Sequence, residues 1–83
     1  MTEFTLKNLP QGSSGHISRC LSPWREDVYR LLEMGLCRGA KVTILHKVKG
    51  VGAIELGLFG SRLCIANELA KEFTVLAPAR DRE

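Results

Sequence analysis

The apolar residues of this chain come in short alternating sets separated by glycine-containing turns, and that pattern leaves few architectures open. Ile17 and Leu21 alternate with His16, Ser18 and Cys20, while Val42 and Ile44 alternate with Lys41, Thr43 and Leu45. Ile54, Leu56 and Leu58 form a third set, Leu63 and Ile65 a fourth, Phe73 and Val75 a last one. Successive side chains on a strand point to opposite faces, so each set predicts a short half-buried strand with its aliphatic residues inward. Leu6 and Leu9, followed by Pro10 and Gly12, add a strand and turn at the start. Short strands at this spacing, with eight glycines in 83 residues, predict a compact barrel, because closing the sheet removes unpaired edges and gives a small chain one core. There is no internal repeat and no low-complexity tract.

One segment breaks the period. In "SPWREDVYRLLEMG" the spacing is helical: Trp24, Val28, Leu31, Leu32 and Met34 gather on one side, and Arg25, Glu26, Tyr29, Arg30 and Glu33 on the other. Ser22 is a suitable N-cap, Pro23 suits the first helical position, and Glu26 and Asp27 sit near the positive end of the helix dipole. A helix ending at Met34 requires the following residue at positive φ to return its N–H to the orphan carbonyls, and Gly35 meets that demand. Leu36 can then touch Leu31. After Gly39 the strand "AKVTILHKV" begins. Asn67 can cap a single turn, "NELAKE", before the last strand.

Composition narrows the function classes. With 45% hydrophobic and 25% charged residues, the chain is an ordinary globular one rather than a disordered or membrane-spanning one. No apolar run approaches the roughly 20 residues that cross a bilayer, and "MTEFTLKNLP" has neither the basic nor the apolar part of a secretion signal, so a cytoplasmic location is expected. The net charge is +3, and the excess lies between Arg38 and Arg62, where Arg38, Lys41, Lys47, Lys49 and Arg62 face one acid, Glu55. That permits acidic partners but falls short of the cation stripe of a committed nucleic-acid binder. Cys20, Cys37 and Cys64 are odd in number and widely spaced, which argues against a disulfide framework. They read as reduced thiols, mostly buried as small hydrophobes, with Cys64 between inward Leu63 and Ile65 pointing out and Cys37 in the turn after the helix.

The order "LKNLPQGSSGHI", "RLLEMGLCRGAKV", "GAIELGLFGSRLCI", "NELAKEFTV" resembles the ferrous iron transport protein A family, FeoA, over residues 4 to 76. Arg38 stands where a proline often precedes the glycine, and Val51-Gly52-Ala53 replaces the Gly-Asp-Pro of many members. The resemblance implies a mostly β fold, a small SH3-like β-barrel with one short α-helix inserted between strands, in a domain over 1–76 with a flexible tail at 77–83. It implies a small cytosolic accessory protein of ferrous iron uptake, acting on the cytosolic portion of the FeoB-type permease and meeting the membrane only through it. A similar barrel forms the C-terminal domain of iron-dependent repressors, which makes a nucleic-acid-binding or regulatory barrel the alternative. A dimer with metal bridged between chains is a third reading.

The residues themselves favour protein contact over catalysis. No nucleophile elbow, phosphate loop or carboxylate pair is present, and no cofactor is expected. His16, Cys37, His46 and Cys64 are chemically able to bind Fe(II) or Zn(II), with Cys20 in the wider set, but their spacing points to no metal motif and the unligated reading prevails. Nucleic-acid binding needs exposed aromatics among cations, and with Trp24 and Phe73 assigned to the core only Phe59 at a hairpin tip qualifies. Two protein-binding surfaces stand out: the helix face Arg25, Tyr29, Arg30, Glu33, and the basic hairpin Lys47, Lys49, Phe59, Arg62. Each has an ordinary explanation, since Glu26 and Arg30 can merely support their own helix and lysines discourage edge pairing. Tyr29 and Phe59 are the stronger candidates, because interfaces enrich aromatics on otherwise polar surface.

Overall fold

A computed structural model describes residues 1–78. The chain runs β1 (Thr2–Thr5), β2 (Ser14–Cys20), α1 (Glu26–Glu33), β3 (Lys41–Val48), β4 (Ala53–Leu58), β5 (Ser61–Ala66), α2 (Asn67–Ala70) and β6 (Phe73–Ala77). The six strands form a single sheet in the order β1-β6-β2-β3-β4-β5, with every neighbouring pair antiparallel. The last strand thus lies between the first two. Strand β6 extends through Ala77, which is buried, and residues 79–83 of the expected tail lie outside the described residues. No helix among the described residues is long and apolar enough to cross a membrane.

The SH3-like β-barrel expected from the sequence is not formed. The sheet is open: β1 and β5 are its two edges, and among the described residues they do not pair with each other. The physical reason lies in what covers the core. Leu6 and Leu9 in the turn after β1, Val28 and Leu31 on α1, Leu36 after it and Ala70 on α2 are all buried with the strand residues Ile17, Val42, Ile44, Ile54, Leu56, Ile65, Phe73 and Val75 in one cluster. Residues outside the sheet therefore shield apolar surface that ring closure would otherwise have to shield.

Two irregularities decide which residues face out. Between β2 and β6 the register shifts so that Ile17 opposes Val75 and Arg19 opposes Thr74, leaving Ser18 as the extra residue. Beyond that bulge the alternation is reset: Cys20 turns half inward against the core, and Leu21, expected inward, is exposed. Ser18 is held by hydrogen bonds: its hydroxyl donates to Glu3 Oε2 at 3.0 Å and shares a 2.7 Å bond with Thr74. Having one proton, Ser18 accepts from Thr74 when it donates to Glu3. Arg19 grips the same carboxylate at 3.0 and 3.3 Å, which ties β2 to β1 across β6. A second shift, between Ile44 and His46 in the β3–β4 pair, leaves Leu45, which lies on the surface, unopposed.

Helix α1 starts later than the sequence predicts. Ser22 does not cap it; its hydroxyl instead donates to Glu72, and Arg25 N–H bonds Ser22 O at 3.1 Å to make a turn of residues 22–25. Trp24 is carried to the outside of that turn and is 78% exposed, so the apolar stripe is reduced to Val28, Leu31 and half-buried Leu32. The helix end agrees with expectation in detail. Gly35 has φ +107°, its N–H bonds Leu32 O at 3.0 Å, and the Leu36 N–H bonds Leu31 O at 3.0 Å. This reciprocal pair is the Schellman arrangement, and it delivers Leu36 into the core.

Candidate functional site

The β4–β5 hairpin ends in the two residues Phe59 and Gly60, both at positive φ, +52° and +78°. A two-residue hairpin loop favours this arrangement because its twist matches that of the strands, but the first position usually holds Asn, Asp or Gly. A phenylalanine there is strained, since its Cβ crowds the following carbonyl at a cost of roughly 1–2 kcal/mol. It is the one non-glycine at positive φ among the described residues. Nothing in the core offsets that cost directly, because the side chain is 74% exposed.

The ring nevertheless has a fixed neighbour. A Cβ on Gly35 would stand 2.8 Å from Phe59 Cε2, so the helix-ending glycine also leaves the space into which the ring leans. Beside the ring runs an open groove of about 420 Å³ whose lining includes Lys41, Leu45, Gly57 and Phe59. Gly57 forms part of the floor: a Cβ there would touch Leu45 at 3.7 Å. Leu45 is 40% exposed on the outer face of β3, and Met34, next to Gly35, is 57% exposed. An exposed aromatic, two partly exposed aliphatics and a lysine at the rim have the composition of an interface core with a polar border.

The other candidates from the sequence are distributed differently. Tyr29 is exposed on α1. Arg30 lies 3.7 Å from Glu26 one turn earlier, both well exposed, an arrangement that contributes little beyond its own helix. Arg25 binds Asp27 at 3.0 Å and Glu72 at 3.5 Å. The Asp27 bond holds the Arg25 guanidinium above its ordinary range and, reciprocally, Arg25 holds the Asp27 carboxyl below its own. Glu33 is exposed at the helix end. The basic hairpin does not assemble as one surface: Arg62 opposes Gly57 next to the Phe59 tip, whereas Lys47 opposes Ile54 and Lys49 lies beyond it, at the far end of β4. Trp24, assigned to the core, is a large exposed aromatic that the helical spacing conceals; the Ser-Pro pair before it was the available sign of a turn.

The thiols and imidazoles stay apart in a similar way. Cys37 and Cys64 are exposed and Cys20 is half-buried, so the expected burial of cysteines applies only in part to Cys20; Cys64 sits on the outward face of β5 and Cys37 in a surface turn, as their positions implied. His16 opposes Lys41 on the sheet. His46 opposes Glu55, which in turn opposes Cys64, yet Glu55 is directed to Arg62 at 3.8 Å. Among the described residues no three His, Cys, Asp or Glu side chains converge to hold a metal ion.

A search of curated proteins finds no match. The family model described as "FeoA domain" matches residues 4–75. The chain belongs to the FeoA domain family. Among solved structures, the FeoA protein from Chlorobium tepidum is 28% identical, with 95% of this chain and 74% of that one covered at a TM-score of 0.81. A FeoA described as an iron uptake regulatory protein is 25% identical over 92% of this chain and 97% of that one, at a TM-score of 0.78. The T. acidophilum protein IdeR shares 22% identity at a TM-score of 0.78 over 93% of this chain but only 35% of its own. That last likeness is one of fold, and this chain spans about a third of that protein.

Proposed function

We propose that this FeoA domain is a cytoplasmic accessory protein of ferrous iron uptake that binds the cytosolic portion of a FeoB-type permease through the Phe59 tip and the groove beside it. Family membership supports the pathway, and the observation that carries the site is Phe59 itself. An exposed aromatic held at positive φ, where asparagine would be easier, is a local sacrifice of stability that interior packing does not explain. Contact with a partner does explain it: the ring leans over Gly35 and, with only two side-chain torsions, has little conformational freedom to lose on binding. Binding one state of the permease better than another would then shift that partner's equilibrium; equal affinity for both would shift nothing.

The test is Phe59→Asn. Asparagine relieves the backbone strain, so the thermal midpoint should rise by several degrees, at about 4–8 °C per kcal/mol for a domain of this size. Affinity for the purified cytosolic portion of the permease, measured by calorimetry, should fall about tenfold or more, as for an interface anchor. A variant more stable than the parent and equally good at binding would remove Phe59 from the interface.

A further inference from the structure

At the opposite end of β4 lies a second concavity, of about 370 Å³, between the turn after β1, the β3–β4 hairpin and the start of α2. We propose that it is a binding site for a phosphate-bearing anion. Its polar lining comes from Lys7, Lys47, Lys49 and Asn67, with Val48 and Ile54 as apolar wall, and no acidic residue contributes to it. None of the three lysines takes part in an ion pair among the described residues. The nearby acid Glu68 is engaged by Lys71 at 3.0 Å.

The cations are partly fixed in place. The Lys47 ammonium donates one hydrogen bond to Lys7 O at 2.9 Å, which leaves two of its three protons free. The Lys47 backbone N–H is held by Gln11 Oε1 at 2.9 Å, which fixes the strand end to the β1–β2 segment. The half-buried Asn67 side-chain amide makes no hydrogen bond within the protein among the described residues and faces Gly52, whose missing Cβ would stand 3.7 Å from its nitrogen. Three ammonium groups and a carboxamide around one cavity meet an anion of high charge density best. Lysine serves phosphate as a compact point charge, and three such charges suit the up to two negative charges that a phosphate group concentrates on one centre better than the single charge of a carboxylate. The volume falls within the range of small-ligand sites, roughly 300–1,000 Å³, and so accepts a phosphate alone or one carrying an organic body.

The experiment is an amide-resolved NMR titration of the whole chain with inorganic phosphate, pyrophosphate and ATP in parallel. Saturable shifts confined to Lys7, residues 47–53 and Asn67 are expected, tighter for pyrophosphate than for phosphate and weakening as salt is raised. Equal affinities for pyrophosphate and ATP would assign recognition to the phosphates alone; a tighter ATP complex would assign it to a nucleotide. Lys49→Gln and Lys7→Gln, both at exposed positions, should each weaken binding about tenfold while leaving the remaining amide shifts in place. The proposal is overturned if no shift saturates by roughly 10 mM, or if Arg38 and Lys41 at the other end respond equally. It is also overturned if both lysine variants bind as the parent does, or if an acidic peptide displaces pyrophosphate at lower concentration than ATP does.

Discussion

Replacing Gly35 by alanine tests the junction on which both the helix and the Phe59 tip depend. An alanine held at φ +107° is strained by roughly 1–2 kcal/mol, partly offset by about 0.4–1 kcal/mol from the lower entropy of the unfolded alanine chain. The new methyl also meets the Phe59 ring at 2.8 Å. That atom belongs to a mostly exposed side chain that can swing away, so the steric part is small beside the backbone part. Unwinding the last turn would be no escape, since it breaks the two 3.0 Å Schellman bonds and lifts Leu36 from full burial. With the small steric part added, the net expectation is a loss of about 0.5–1.5 kcal/mol, which for a domain of this size lowers the thermal midpoint by about 2–12 °C. Circular dichroism melts of Gly35→Ala, with and without Phe59→Ala, provide the assay. The loss should persist in the Phe59→Ala background, because φ strain does not depend on the ring. An unchanged midpoint would refute the cap, and a cost that vanished with the ring would transfer it to the steric contact.

Two further outcomes are expected. Gly15→Ala should be more damaging than Gly35→Ala, since its Cβ would lie 2.5 Å from Val75 Cγ1 and 2.7 Å from the Leu76 carbonyl oxygen; a loss of about 3 kcal/mol, read by urea unfolding, follows because the backbone of the paired strand cannot step aside. Acid should destabilise the fold from the carboxylate side. Arg19 holds Glu3 below its ordinary value of 4.5, Arg25 holds Asp27 below 3.8 and Lys71 holds Glu68 below 4.5. In that window the unfolded chain binds more protons, so the stabilisation is complete above those ordinary values and is lost as pH falls through the lowered ones. Thermal midpoints should decline below about pH 4.5, with a shallower decline in Glu3→Gln; a flat profile from pH 6 to 3 would count against these pairs.

The features legible in the sequence were the local ones. Ile54, Leu56 and Leu58 alternate in β4 without interruption, and all three are buried. Gly35 announced its conformation because few other residues end a helix that way, and the Phe59–Gly60 tip fell where glycine punctuation placed it. The failures share a different cause. The bulges at Ser18 and Leu45 depend on how a strand meets its neighbour rather than on its own pattern; Leu45 still faces outward as its alternation with Val42 and Ile44 implied, whereas after the first bulge Leu21 changes faces. Trp24 matched the helical stripe, but Ser22 bonded Glu72, fifty residues away in sequence, instead of capping the helix. The open sheet could not be read for the same reason, since short alternating strands suit a closed or an open arrangement equally. For the candidate site, residue identity located the Phe59 tip, whereas its φ value, its seat on Gly35 and the separation from Lys47 and Lys49 required coordinates.

The position of β6 between β1 and β2 also bears on how the molecule comes into being. A ribosome releases β1 and β2 long before their common neighbour exists, so neither of these early strands can complete its pairing until residues 73–77 have emerged. The nascent chain must carry Phe4 and Ile17 without their final shelter until β6 has emerged, and assembly then depends on contacts between distant parts of the polypeptide, the kind that form slowly. Premature termination anywhere before β6 would leave β1 with no strand to join.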